Sequence, residues 1–139
     1  MVIGRRAAHV SEAKVREHVF GYTCANDMTA RDLQKIDGQW TRAKSFDTFC
    51  PLGPHIETEL EPQDLGVRLS QNGLVKQDST TANMIFDVFN LVIFVSKIMT
   101  LFPGDVILTG TPPGVGPVAV GDELSVEIDG IGQLMNHVV

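Results

Sequence analysis

A chain of 139 residues is long enough to bury one core and short for two, so a single domain over residues 1–139 is expected. Its composition, 43% hydrophobic and 20% charged, excludes a disordered chain. A net charge of −6 argues against a nucleic-acid surface, although cations gathered in one place can still receive a small anion.

Thirteen glycines and seven prolines predict many turns, hence strands and shaped loops rather than a helical bundle. In chain order, Val2-Ile3 reads as the end of a strand and Gly4-Arg5-Arg6 turns out of it. Ser11 is placed to cap a short helix running to about His18, and Val19 to Cys24 alternates as a strand. Thr29-Ala30-Arg31-Asp32 has the spacing of a capping box, opening a helix that Gly38 ends. From Gln39 to Pro54 the pattern is irregular and predicts a long ordered loop.

Val67–Gln71 and Leu74–Asp78 flank Asn72-Gly73, a strong hairpin signal, and their alternation leaves one face wet. Val88 to Met99 is too short to span a bilayer and contains Asn90, Ser96 and Lys97, so it predicts a buried helix. Beyond the Pro103-Gly104 turn, Asp105–Leu108 reads as a short strand leading into a glycine-rich loop, residues 109–116. A second hairpin, Leu124–Ile128 with Gln133–Val138, surrounds Asp129-Gly130. The fold class expected is α+β, mostly β, with one long buried helix.

Cys24 and Cys50 stand far apart and outside metal-ligand spacing, which fits two reduced thiols in a cytoplasmic protein. The opening Met-Val-Ile-Gly-Arg-Arg has no secretory pattern. Neither membrane nor nucleic acid is an expected partner.

Asp27 precedes the helix that Thr29 opens, and Arg31 and Gln34 follow on one face of it, so the three can point into one space. A solvated turn aspartate with an arginine partner has the same spacing. Trp40 to Phe49 sets Arg42 and Lys44 among three aromatics. A lysine so walled suits an anion or acid–base role, and equally a surface lysine whose stem lies across apolar side chains. In the glycine-rich loop Thr111 can offer a hydroxyl to a carboxylate, but the Gly-Lys-Ser/Thr ending of a P-loop is missing, which weighs against a nucleotide. Glu57-Thr58-Glu59 has chelate spacing on a strand, yet Glu61, Pro62 and Gln63 beside it favour an exposed acidic turn. His9, His18, His55 and His137 show no ligand spacing.

Several of these stretches together resemble the fumarylacetoacetate hydrolase family. They are Gly21-Tyr22-Thr23, Asn26 through Gln34, Trp40 through Asp47, Met84-Ile85-Phe86, and Leu101 through Gly116. The similarity is to its shorter bacterial members, described as 2-hydroxyhepta-2,4-diene-1,7-dioate isomerases or acylpyruvate hydrolases. The resemblance implies a mixed β roll and a homodimer. It also implies a Mg2+ or Mn2+ ion held by three carboxylates, of which Asp27 matches the third. Arg31 and Gln34 match substrate contacts, Lys44 a catalytic lysine that holds the substrate oxygen beside the metal, and Thr111 a carboxylate-binding threonine.

The implied reaction is hydrolysis or isomerisation of small anionic 2-oxo or 2-hydroxy-dienoic dicarboxylates through an enolate, in aromatic catabolism. Family members carry a Glu-x-Glu pair just before the segment matching Val2-Ile3-Gly4-Arg5, and a His- and Glu-bearing loop further upstream. Neither lies within these residues, so an N-terminally shortened family core is expected, with a weak metal site. The alternative is a non-catalytic, dimerising remnant of the family.

Overall fold

Two antiparallel sheets carry the strands, and both hairpins form where the turn dipeptides predict them. The computed structural model describes residues 1–139. Strands β1 (Val2–Ile3), β2 (Val19–Ala25) and β3 (Leu52–Glu57) make one sheet in that order. The other holds β4 (Gly66–Gln71), β5 (Leu74–Thr80), β6 (Glu123–Ile128) and β7 (Gly132–His137), in the order β5-β4-β6-β7. Three α-helices, α1 (Arg31–Asp37), α2 (Thr41–Lys44) and α3 (Val88–Ile98), complete an α+β architecture dominated by strands.

The β4–β5 turn shows why the dipeptide matters. Asn72 and Gly73 take φ of 52° and 76°, the left-handed pair that matches the twist of the flanking strands. Asp122 then clamps the tip, accepting from Gln71 Nε2 at 2.6 Å and Asn72 Nδ2 at 2.7 Å. In α3 the spacing of Val88, Val92 and Ser96 places one stripe against the core. Asp87 caps the helix, its carboxylate accepting from Asn90 N at 2.8 Å. Buried Ser96 is satisfied twice, accepting from Val10 N and donating to Ile93 O, each at 3.0 Å. Burial of α3 is confined to that stripe: Phe94 and Ile98 on its other side are 62% and 64% exposed.

Two core clusters result. Ile3, Ala7, Val10, Val15, Val92 and Leu101 pack around α3, while Cys24, Val126, Ile131 and Leu134 pack between the sheets. Tyr22 on β2 touches both, and burial pushes its phenol up to about 12.

Local expectations fail at two helix starts and one strand. Glu12–His18 forms, but as a 3-10 helix, and the Ser11 side chain makes no cap bond. Thr29 does not cap α1 either: the cap position is Ala30, without a side-chain bond, because the Thr29 hydroxyl has a tertiary partner instead. Asp105–Leu108 is reduced to a single bridge between Val2 and Val106, since β1 offers only two residues to pair with.

Candidate functional site

Asp27 lies two residues beyond β2, on backbone that stays paired after the strand ends. Asn26 N donates to Pro51 O at 3.2 Å and Met28 N to Phe49 O at 3.0 Å, which fixes the extended run holding Asp27. The chain then enters α1, whose start is pinned by Ala30 N donating to Ala43 O at 2.9 Å. Ala43 is fully buried, and Lys44 follows it as the last residue of α2. The stretch that the sequence suggests as one irregular loop, Gln39 to Pro54, thus contains a short helix anchored by one small residue, and its last residues enter β3.

These anchors bring Lys44 to Asp27. Its Nζ lies 2.5 Å from Asp27 Oδ2 and donates to Thr29 Oγ1 at 3.2 Å. Both side chains of the pair are 29% exposed, so it is sheltered yet open on one side. Arg31, on the first turn of α1, donates from Nη1 to Gln34 Oε1 at 3.0 Å, as their spacing of three predicts. The remaining guanidinium N–H groups and the Gln34 amide donor keep no partner within the protein.

The fifth predicted residue arrives from a distant part of the chain. Thr111 sits in the glycine-rich loop, which is tied to β5 at two points. Gln77, buried on β5, donates from Nε2 to Pro112 O at 2.7 Å. Gly114, at φ +108°, lies against Lys76 so closely that a Cβ there would fall 2.0 Å from the Lys76 carbonyl oxygen. Only glycine meets both demands.

Asp27, Arg31, Gln34, Lys44 and Thr111 therefore line one cavity of about 280 Å³, together with Thr29. Trp40 and Val115 supply its apolar wall. Its charged side chains are two cations, Arg31 and Lys44, and one carboxylate, Asp27. Such a space suits a small acid with more than one anionic oxygen.

Residues the sequence reading passed over also shape the site. Thr29, which the sequence places in a cap, holds Lys44 instead. Gln77 reads as an ordinary polar strand position between Lys76 and Asp78, with no hint of the loop it anchors. Arg42 turns away to grip Asp37, whose carboxyl the guanidinium holds below its usual range.

Glu57-Thr58-Glu59 stays outside. Thr58 and Glu59 border a separate depression of about 250 Å³, where Glu61 binds Arg16 at 2.8 and 3.2 Å and the guanidinium lies 4.3 Å from the Phe89 ring centre. No group of three or more His, Cys, Asp or Glu side chains is placed to hold a metal ion. Asp27 by itself, with one oxygen already held by an ammonium, does not fit the donor set of a hard six-coordinate cation.

The full length of the chain, residues 1–139, matches the family described as fumarylacetoacetate (FAA) hydrolase C-terminal. The chain belongs to the fumarylacetoacetate hydrolase family. It is 55% identical over 138 residues to the uncharacterized protein MJ1656 of Methanocaldococcus jannaschii, covering 99% of this chain and 58% of that protein. It is 43% identical over 150 residues to the mitochondrial oxaloacetate tautomerase Fahd2a of Rattus norvegicus, covering 100% of this chain and 48% of that one. Among solved structures, the 2-hydroxyhepta-2,4-diene-1,7-dioate isomerase from Mycobacterium marinum superposes with a TM-score of 0.97 at 56% identity. That match covers 99% of this chain and 55% of the isomerase. The fold is that of the family's C-terminal region, and the chain spans about half the length of the relatives it matches. No helix is long and apolar enough to cross a membrane.

Proposed function

We propose that the protein acts as a divalent-metal-dependent hydrolase or isomerase of 2-oxo or 2-hydroxy-dienoic dicarboxylates. The substrates would be of the fumarylacetoacetate, acylpyruvate or 2-hydroxyhepta-2,4-diene-1,7-dioate type, in cytoplasmic breakdown of aromatic compounds. The observation that carries the reading is the convergence of Arg31, Gln34, Lys44 and Thr111, from three separate stretches, on the cavity that holds Asp27. Relatives named isomerase and tautomerase act on compounds of this kind, which pass between keto and enol forms.

The chain's own groups account for binding and for charge. Arg31 and the Thr111 hydroxyl would hold a substrate carboxylate, and the Gln34 amide would donate to a second oxygen. The Lys44 ammonium, oriented by Asp27 and Thr29, would donate to the keto oxygen and stabilise the negative charge that grows there as an enolate forms. A preorganised donor in a partly sheltered cavity does this with little rearrangement, which is where its catalytic value lies.

A Mg2+ or Mn2+ ion bound at Asp27 would supply Lewis-acid stabilisation of the same enolate. It would need further oxygen donors beyond those lining the cavity.

The test is turnover of oxaloacetate and acylpyruvates by the purified protein with Mn2+, beside Lys44→Ala and Arg31→Ala. A rate above the metal-only control that both substitutions remove supports the reading. A rate indifferent to both removes it.

One observation favours a second reading, a non-catalytic module that pairs with a second copy. Phe94 and Ile98, four residues apart on one face of α3, and Ile85 before it are exposed, and apolar side chains grouped on a helix face suit a partner surface. Dimerisation in sedimentation equilibrium, with no turnover under any metal condition, would decide for it.

A further inference from the structure

The contact between Lys44 and Asp27 bears on what this cavity binds first. A divalent ion at Asp27 would sit beside the ammonium that already holds its Oδ2 at 2.5 Å, with Arg31 lining the same space. Two protein cations and a dication against a single carboxylate is a repulsive arrangement in a partly sheltered site, where charges are weakly screened. Without the ion the balance is different. Arg31 and Lys44 outnumber Asp27 by one charge, and both cations keep donor hydrogens to give, since Lys44 uses only the Asp27 and Thr29 bonds and Arg31 only the Gln34 bond.

We infer that the cavity is a metal-free receptor for small dicarboxylates, in which the Lys44 ammonium is both the counter-ion of Asp27 and the cation that meets the ligand. This rests on the substrate class proposed above and adds the order of events: the dianion binds to the protein without a metal ion. Arg31 and Thr111 take one carboxylate, and Lys44 takes the oxygens nearest Asp27. In this arrangement Asp27 opposes the ligand. Its charge repels the incoming dianion and competes for Lys44, so it holds the lysine in place at some cost in affinity. That cost gives the inference a signature opposite to that of a metal ligand, whose loss weakens binding.

Oxalate is a suitable probe, because its adjacent carboxylates present the oxygen pattern of a 2-oxo acid and it neither enolises nor decarboxylates. Calorimetric titration of the protein with oxalate in EDTA is compared with titration by Mg2+ alone, for the natural chain and for Asp27→Asn, Lys44→Met and Arg31→Met. Circular dichroism melting of each variant separates lost binding from lost fold, and Arg31, exposed on α1, is the change least able to disturb folding. The expected result is oxalate binding in EDTA, no heat with Mg2+ alone, and binding weakened about tenfold or more by either loss of a cation. Asp27→Asn is expected to tighten it by roughly three- to tenfold, and added NaCl to weaken it. Oxalate binding that requires Mg2+, or that weakens in Asp27→Asn, overturns the inference while leaving the proposed substrate class standing. Absence of oxalate binding with and without Mg2+ overturns both.

Discussion

Arg42 grips Asp37 through two parallel hydrogen bonds, Nε to Oδ2 at 2.7 Å and Nη2 to Oδ1 at 2.5 Å, tying α2 to the last residue of α1. The pair does not line the cavity, but each of its helices carries a cation that does: Arg31 on α1 and Lys44 on α2. The geometry is the bidentate fork that makes an arginine–carboxylate pair directional.

Arg42→Ala should therefore cost little stability, as a solvent-facing pair contributes little to the folded state. It should cost more in function, lowering dicarboxylate affinity by up to about tenfold as α1 and α2 lose their fixed relation. The exchanged pair, Asp37→Arg with Arg42→Asp, should recover part of that affinity. A melt and an oxalate titration on the three proteins check it.

Gly114→Ala should dislodge the glycine-rich loop. The added carbon would meet the Lys76 carbonyl at 2.0 Å, and φ of +108° is closed to alanine in any case. A loss above about 2 kcal/mol in urea unfolding is expected, or, if the loop swings away, an intact fold with Thr111 withdrawn and ligand affinity lost. Unchanged stability together with unchanged affinity would mean that the loop is not anchored as described.

Gln77→Leu tests the other anchor more gently. The side chain is buried and its amide donates to Pro112 O, so the leucine leaves that carbonyl unpaired. A loss of about 1–3 kcal/mol is expected from denaturant unfolding. Proteolysis within residues 109–116 should quicken at the same time, since the loop loses one of its two ties.

Asp122 makes stability depend on acid. The Ala119 N–H, then Asn72 and Gln71, donate to its carboxylate and hold its pKa below the ordinary 3.8. Its contribution is complete above 3.8, where the unfolded chain's carboxyl is also ionised, and is lost as pH falls through the lower folded value. Asp122→Asn should remove that part of the acid dependence, so that unfolding midpoints of the variant and the natural chain converge as pH drops below 3.8. A gap that stays constant with pH would contradict the assignment.

Elements whose cause is local were legible. Asn72-Gly73 names its turn because few dipeptides take two left-handed φ values in succession. Val88 to Met99 reads as a buried helix and α3 forms there, although only the stripe of Val88, Val92 and Ser96 is buried. Arg31 and Gln34 meet because a helix turn separates them. The Thr29–Asp32 capping box, with equally good local spacing, does not form, because the hydroxyl that would close it lies within 3.2 Å of Lys44 Nζ. A local preference worth about 1 kcal/mol yields readily to a tertiary contact.

The sequence by itself determined the family, the strand-rich fold and the five residues expected around a ligand, since periodicity, turn chemistry and matching motifs all act over a few neighbouring positions. Only the tertiary structure decided that Lys44 is paired with Asp27, that Thr111 reaches them, and that Gln77 and Gly114 hold Thr111's loop in place. Those arrangements bring together residues 17 to 84 positions apart. Nothing local encodes a contact of that range: it exists because packing the two sheets and α3 around their two core clusters leaves each of these segments one place to lie.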